Sequence, residues 1–185
     1  MMTRSRVLGA VLSLAVTAAL TNAPCAVAAS RQELNRDATK ALQSLTAKNS
    51  AARQLNQKAR AVLVFPNILK AGFMFGGQLG EGVLLMGGKP VGYYNSVAAS
   101  YGLQAGAQVF GYALFFMNDA ALKYLDASEG FELGVGPSIV VVDEGMGKSM
   151  TTTTITQDVY AFIFDQKGLM GGLGIQGSKI TRVSK

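Results

Sequence analysis

The sequence predicts an α+β fold, in which amphipathic N-terminal helices pack on a strongly curved, glycine-rich, mostly antiparallel sheet or small barrel. Residues 31–60 show helical periodicity, with alanine and leucine on one face. From residue 61 the chain changes to short apolar runs punctuated by glycine, which is typical of antiparallel strands. Glycines, several of them two residues apart, recur in GGQLGEG, GLQAGAQ and GLGIQGS. Such glycines lie on one strand face, where a sheet can bend.

The first 28 residues have the layout of a secretory signal peptide. Arg4 and Arg6 precede an apolar run that is short for a bilayer span, and Ala26-Val27-Ala28 offers a small-x-small cleavage site. We therefore expect an exported protein of the periplasm or cell envelope, with one domain over 29–185. Cys25 would be the site of a lipid anchor, but Pro24 stands where a lipobox has a small residue, which disfavours lipidation.

Two basic amphipathic helices are predicted at the start of this domain. Ser30 and Glu33 form a capping box ahead of a helix over 31–47. A second helical piece follows Lys48-Asn49-Ser50. The predicted buried positions of the two helices are Leu34, Ala38, Ala41, Leu42, Leu45, Ala51, Ala52, Leu55 and Ala59.

The remainder of the chain is predicted to be mainly β. The predicted strands cover 61–65, 72–86, 90–100, 109–117, 131–143, 151–157, 159–165 and 172–183. One short helix is expected over 119–128, because Asn118 or Asp119 can cap its start and Gly130 follows its end.

The stretch GMGKS at 145–149 resembles the end of a phosphate-binding P-loop, but the first glycine of that motif would fall at Val142. Asp143 and Glu144 also lie where a triphosphate would need neutral or positive surroundings. The following TTTTIT favours a strand over a helix. We therefore interpret SIVVVDEGMGKSMTTTTIT as a hairpin with a solvated tip.

Composition argues against catalysis. The chain has no histidine, and its eleven acidic residues are scattered in no recognisable acid–base pairing. No run of alternating oxygen ligands suits calcium, and loss of Cys25 with the signal would leave no thiol. We expect no enzyme activity, no cofactor and no metal. An enzyme site at Asp143, Glu144 and Lys148 is disfavoured, because charged hairpin tips are usually only solvated.

Basic charge is concentrated in the helical segment. Residues 31–60 carry seven basic and two acidic side chains, a net charge of +5, whereas residues 61–185 carry eight basic and nine acidic ones. An anionic partner would therefore be expected to bind at residues 31–60. An exported protein without a nucleic-acid motif is not expected to bind nucleic acid.

Three ordered motifs resemble the SYLF domain family: AVLVFPNILKAGFMFGGQLGEGVLL, VGYYNSVAASYGLQAGAQ and AFIFDQKGLMGGLGIQGSKIT. The resemblance spans about 31–183. It implies a non-catalytic module that binds phosphoinositide-type membranes, with the basic N-terminal helix on anionic phospholipid headgroups. The implied lipid-binding residues are Arg36, Lys40, Arg53, Lys58, Arg60 and Lys70.

Two alternatives to lipid binding stay open. The first is a protein-interaction domain, an actin-binding-like module or an envelope scaffold with a protein partner. Actin itself is a doubtful partner for an exported chain. The second is an outer-membrane barrel, which is disfavoured because the chain ends in ITRVSK without a terminal aromatic residue.

Overall fold

A computed structural model describes residues 29–127, 131–132, 138–142 and 156–185. The predicted signal peptide, Cys25 and the tip of the predicted hairpin with Asp143, Glu144 and Lys148 lie outside these residues. The elements in chain order are α1 (Arg31–Lys48), α2 (Ser50–Lys58), β1 (Ala61–Met86), β2 (Lys89–Phe116), α3 (Asp119–Ala127), β3 (Phe131–Glu132), β4 (Ile139–Val141) and β5 (Val159–Val183).

The three helices agree with prediction because local signals define them. In α1, Glu33 N–H donates to Ser30 Oγ and the Glu33 carboxylate accepts from Ser30 N–H, which completes the capping box. Asn49 caps α2 by accepting from Ala52 N–H at 3.0 Å. Asn118 does the same for Ala121 in α3. The predicted apolar faces of α1 and α2 are buried or half-buried.

The predicted short strands are wrong in number and length, because most of them merge into three strands of 25 to 28 residues. The β1–β2 and β2–β5 ladders continue across residues 66–71, 101–108 and 166–171, which were expected to separate strands. Pairing on both sides of β2 supplies the hydrogen bonds that keep these segments extended. Within the predicted strand over 131–143, the described residues form β3 and β4. Of the predicted strand over 151–157, only residues 156–157 are described, and they lie outside any strand.

The sheet is antiparallel along its main path, in the order β1-β2-β5-β3, and β4 adds to β5 in parallel. Among the described residues β1 pairs only with β2, so β1 forms an edge. The predicted α+β fold with a mostly antiparallel sheet is confirmed. The sheet is open, and its closure into a small barrel is not observed in the described part of the chain. A two-residue turn joins β1 to β2, where Gly87 and Gly88 hold φ values of 56° and 78°.

Strand β1 folds back on itself, so its two halves face each other. A Cβ atom at Gly80 would lie 2.7 Å from Cγ1 of Ile68, which is a separation too short for any side chain. Between these halves the chain bends at 72–76, where Met74 holds a φ of 59°. Because glycine has no side chain at this contact, the two halves of β1 can approach closely.

Two buried clusters lie on opposite faces of the strands. Helices α1 and α2 cover the first, to which the strands contribute Val62, Val64, Val83, Leu85, Ala113, Phe115, Tyr160 and Phe162. The second lies inside the fold of the sheet and under α3, and its main members are Leu63, Phe65, Ile68, Leu84, Tyr94, Phe110, Tyr112, Leu114, Ala121 and Leu125. In the parts of the chain described, no helix is long and apolar enough to span a membrane.

Candidate functional site

The six predicted lipid-binding residues occupy three different environments. Arg36 and Lys40 are exposed on α1, while Lys58 and Arg60 are exposed at the end of α2 and just after it. Arg53 is exposed on α2 but bonds to the end of α1. Lys70 is half-buried in β1 and lines a cavity. The structure therefore does not bring all six onto one surface.

Arg53 has a structural partner that the sequence did not reveal. Its Nε donates to the Thr46 carbonyl at 3.0 Å, and its Nη2 donates to the Ala47 carbonyl at 2.9 Å. These carbonyls belong to the last turn of α1, where no further backbone N–H is available and a cation is favourable. Arg53 thus stabilises the junction of the two helices. Because its guanidinium already donates to these two carbonyls, it is less available to bind a ligand.

The other four predicted residues of the helical segment differ in their ion pairs. Arg36 pairs with the adjacent Asp37 at 3.1 Å, and Arg60 approaches Asp119 at 3.5 Å. Lys40 and Lys58 form no ion pair with any residue that the structure describes. Exposed pairs of this kind contribute little to stability and exchange readily for another anion. The exposed cations that remain available for a ligand are accordingly Arg36, Lys40, Lys58 and Arg60.

Lys70 faces the inside of the folded sheet. It lines a cavity of about 310 Å³ between the two halves of β1 and β2. The polar side chains that line the cavity are Lys70, Gln78, Ser96, Gln108, Tyr112 and Gln166. No carboxylate is among the described lining residues, and Gln78 and Ser96 are buried. The lining offers hydrogen bonds and one cation, in a place set apart from the helical basic residues.

A group of exposed apolar side chains at the bend of the sheet was missed by the sequence analysis. Phe73 is 76% exposed, Phe75 70% and Leu169 90%. Together with the exposed Leu69, Met74 and Leu79 they form a patch that we call the apolar bend. The available signal was GFMFGG, in which apolar residues lie between glycines, but it was interpreted as an ordinary strand with one buried face.

Among the described residues, two tyrosines, one aspartate and one glutamate have shifted pKa values. Hydrogen bonds from Ser30 lower the pKa of the glutamate, Glu33. Burial raises the pKa of Tyr112, which lies at the cavity. Burial, followed by donation of its hydroxyl to Asp126 at 2.7 Å, raises the pKa of Tyr94. The hydrogen bond from the Asn118 amide, followed by bonds from Ser138, lowers the pKa of Asp158. These shifts arise from packing and hydrogen bonds that hold elements together.

A comparison with known protein families gives a match over the second half of the chain. Residues 97–185 match the family described as Ysc84, Las17-binding protein actin regulator. This range covers most of β2, together with α3 to β5, and it leaves the helical basic segment and β1 outside. No curated protein matches the chain.

Proposed function

Because the chain belongs, through residues 97–185, to the Ysc84 (SYLF) family, a family of binding domains, we propose that it acts as a non-catalytic module that binds anionic phospholipid headgroups. The proposed contact surface is the basic outer side of the helical segment 31–60. The observation that carries the proposal is the net charge of +5 in this segment, with Lys40 and Lys58 exposed and not ion-paired to any described residue.

The expected attachment is weak and sensitive to salt. A lysine or arginine near an anionic membrane contributes about 1 kcal/mol, so Arg36, Lys40, Lys58 and Arg60 together supply roughly 4 kcal/mol at most. Screening at physiological ionic strength acts over about 8 Å and reduces this attraction for exposed charges. Stable residence on a membrane would require a second contribution.

The membrane proposed is that of the cell envelope, since the first 28 residues predict export. Fractionation of cells that express the full chain tests this location. Recovery with the periplasm or envelope supports it, and recovery with the cytosol contradicts it.

Vesicle co-sedimentation tests the proposed contact surface. Residues 29–185 are mixed with neutral or anionic phospholipid vesicles at low and physiological salt, and the bound fraction is compared with that of Lys40→Glu/Lys58→Glu. The matched control is Lys89→Glu/Lys123→Glu, which changes the net charge equally at exposed positions on β2 and α3. Loss of anionic-vesicle binding in the first variant alone supports the proposal. Equal loss in both variants contradicts a specific role for the helices.

Binding of a protein partner is the second candidate function, and the family's description as a Las17-binding protein actin regulator favours it. Sedimentation with actin filaments in the absence of lipid distinguishes the two functions. Filament binding without vesicle binding would replace the lipid proposal with a protein-binding one.

A further inference from the structure

The apolar bend is a defined part of the fold. At the bend, β1 remains paired with β2, from Ala71 opposite Ala107 to Phe73 opposite Ala105, and pairing resumes at Phe75. Strand β2 in turn stays paired with β5 across the same region. The exposed side chains of Phe73 and Phe75 therefore lie on paired strand residues on either side of one register shift, and they are not carried on a separate loop.

Backbone strain also marks this bend. Met74 adopts a φ of 59°, a left-handed conformation that is costly for a residue with a side chain. Its neighbours Phe73 and Phe75 are both large, apolar and mostly exposed. Strain and solvent-exposed aromatic side chains both oppose stability of the isolated protein, and they occur at the same three residues. Such a combination points to a contact with something outside the chain.

Charge around the bend distinguishes between kinds of partner. The three segments that meet there, 69–79, 97–109 and 166–178, contain no aspartate or glutamate. Their only charged residues are Lys70 and Lys167, at the ends of the segments, and Lys167 is exposed. Apolar side chains beside one exposed lysine, Lys167, with no carboxylate in these three segments, suit a surface that is anionic outside and apolar beneath. A phospholipid bilayer has this profile.

We infer that the apolar bend inserts into the interfacial region of an anionic bilayer, with Phe73, Phe75 and Leu169 among the acyl chains and Lys167 at the headgroups. The inference rests on the proposed membrane-binding function and names a second point of attachment for it. Insertion is shallow, of the order of 5–10 Å, as for other interfacial elements. Because β1 is an edge strand, its outer backbone groups have no partner strand among the described residues and must remain near water.

The first experiment measures the depth of the bend directly. The chain contains no tryptophan, so Phe73→Trp introduces a single fluorescent reporter. The matched control is Val91→Trp, at a position 45% exposed near the start of β2 and away from the bend. With anionic vesicles we expect a blue shift of the Phe73→Trp emission and quenching by brominated acyl chains. The Val91→Trp emission should change in neither respect.

The second experiment measures affinity. Phe73→Ser/Phe75→Ser should lower the vesicle partition coefficient at physiological salt at least about tenfold, because two large apolar side chains no longer leave water. The control Met86→Ser/Val91→Ser also removes two exposed apolar side chains, near the β1–β2 turn, and should bind as the unmodified chain does.

The outcomes separate this inference from the function on which it rests. If the unmodified chain binds anionic vesicles but the Phe73→Trp emission stays unshifted and the serine variant binds equally well, insertion is refuted and surface binding stands. If no variant binds any vesicle, both fail. A blue shift that depends on protein concentration, without vesicles, would assign the bend to contact with a second copy and overturn the inference.

Discussion

Gly82 faces the ring of Phe65 across the fold of β1, and a Cβ atom at Gly82 would lie 2.6 Å from Cδ1 and Cε1 of that ring. The ring is fully buried in the second cluster, inside the fold of the sheet, which we call the inner core. The distance between the two halves of β1 is therefore set by a glycine on one side and an aromatic ring on the other.

Gly82→Ala should destabilise the fold by about 1–3 kcal/mol, because the added methyl overpacks the inner core. Urea unfolding measures the change. Gly77→Ala is the control, since its Cβ would meet only the Ala98 carbonyl at 3.9 Å. Adding Phe65→Leu to Gly82→Ala should recover part of the loss, and a strictly additive double variant would contradict the proposed contact.

Arg53→Gln should lower stability by about 0.5–1 kcal/mol, because the carbonyls of Thr46 and Ala47 lose a charged donor at the end of α1. Lys40→Gln should leave the unfolding midpoint unchanged, as that side chain is exposed and has no partner in the described part of the chain. Equal midpoints for the two variants would remove the structural role assigned to Arg53.

Tyr112 should make the protein sensitive to alkali. Because burial raises its pKa above the ordinary value of 10.0, the unfolded chain loses this proton at lower pH than the folded one. The contribution of Tyr112 to the free energy of unfolding is therefore fully present below pH 10.0. Above pH 10.0 this contribution falls by about 1.4 kcal/mol per pH unit. Urea unfolding between neutral and strongly alkaline pH should give a shallower decline for Tyr112→Phe, and parallel curves would contradict this prediction.

Asn118→Ala should cost about 1 kcal/mol or somewhat more, because one amide serves two elements. Its Oδ1 caps α3 at Ala121 N–H, and its Nδ2 donates to Asp158 at 2.7 Å, just before β5. Asn118→Asp keeps the cap oxygen but places a carboxylate beside Asp158, so it should be destabilising at neutral pH and less so in acid. Thermal unfolding at both pH values measures this difference.

The helices could be predicted from sequence because their signals are local. The capping box at Ser30 and Glu33 and the apolar periodicity after it lie within a few turns of chain. The merged strands could not be predicted in the same way. Glycine between two apolar runs is usually a sign of a strand end, and only the pairing of β2 with two neighbours keeps these segments extended.

The position of Lys70 depends on a detail of register. Leu63 and Phe65 point into the inner core, and simple alternation would place even-numbered residues of β1 on the opposite face. The register shifts between Phe65 and Ile68, so Ile68 and then Lys70 turn inward. Pro66 indicates an irregularity in the strand, but the sequence does not show which face of the sheet the following residues lie on.

The capping role of Arg53 and the apolar bend could not be predicted from the sequence, and the reason is the same for both. Each depends on where two segments meet in space: the start of α2 against the end of α1, and one half of β1 against the other. Apolar periodicity reports which face of an element is buried, but it does not report that a strand turns back within its own length.

The central position of β2 governs the order in which the molecule can assemble. The first neighbour of β2 is β1, which directly precedes it in the sequence and is joined to it by the turn at Gly87-Gly88. The second neighbour, β5, begins only at Val159. Until β5 arrives, a strand of 28 residues presents an open row of amides and carbonyls to other chains. Folding should accordingly be slow, with many distant contacts, and an incompletely synthesised or unfolded chain should be prone to aggregate unless a chaperone covers that row.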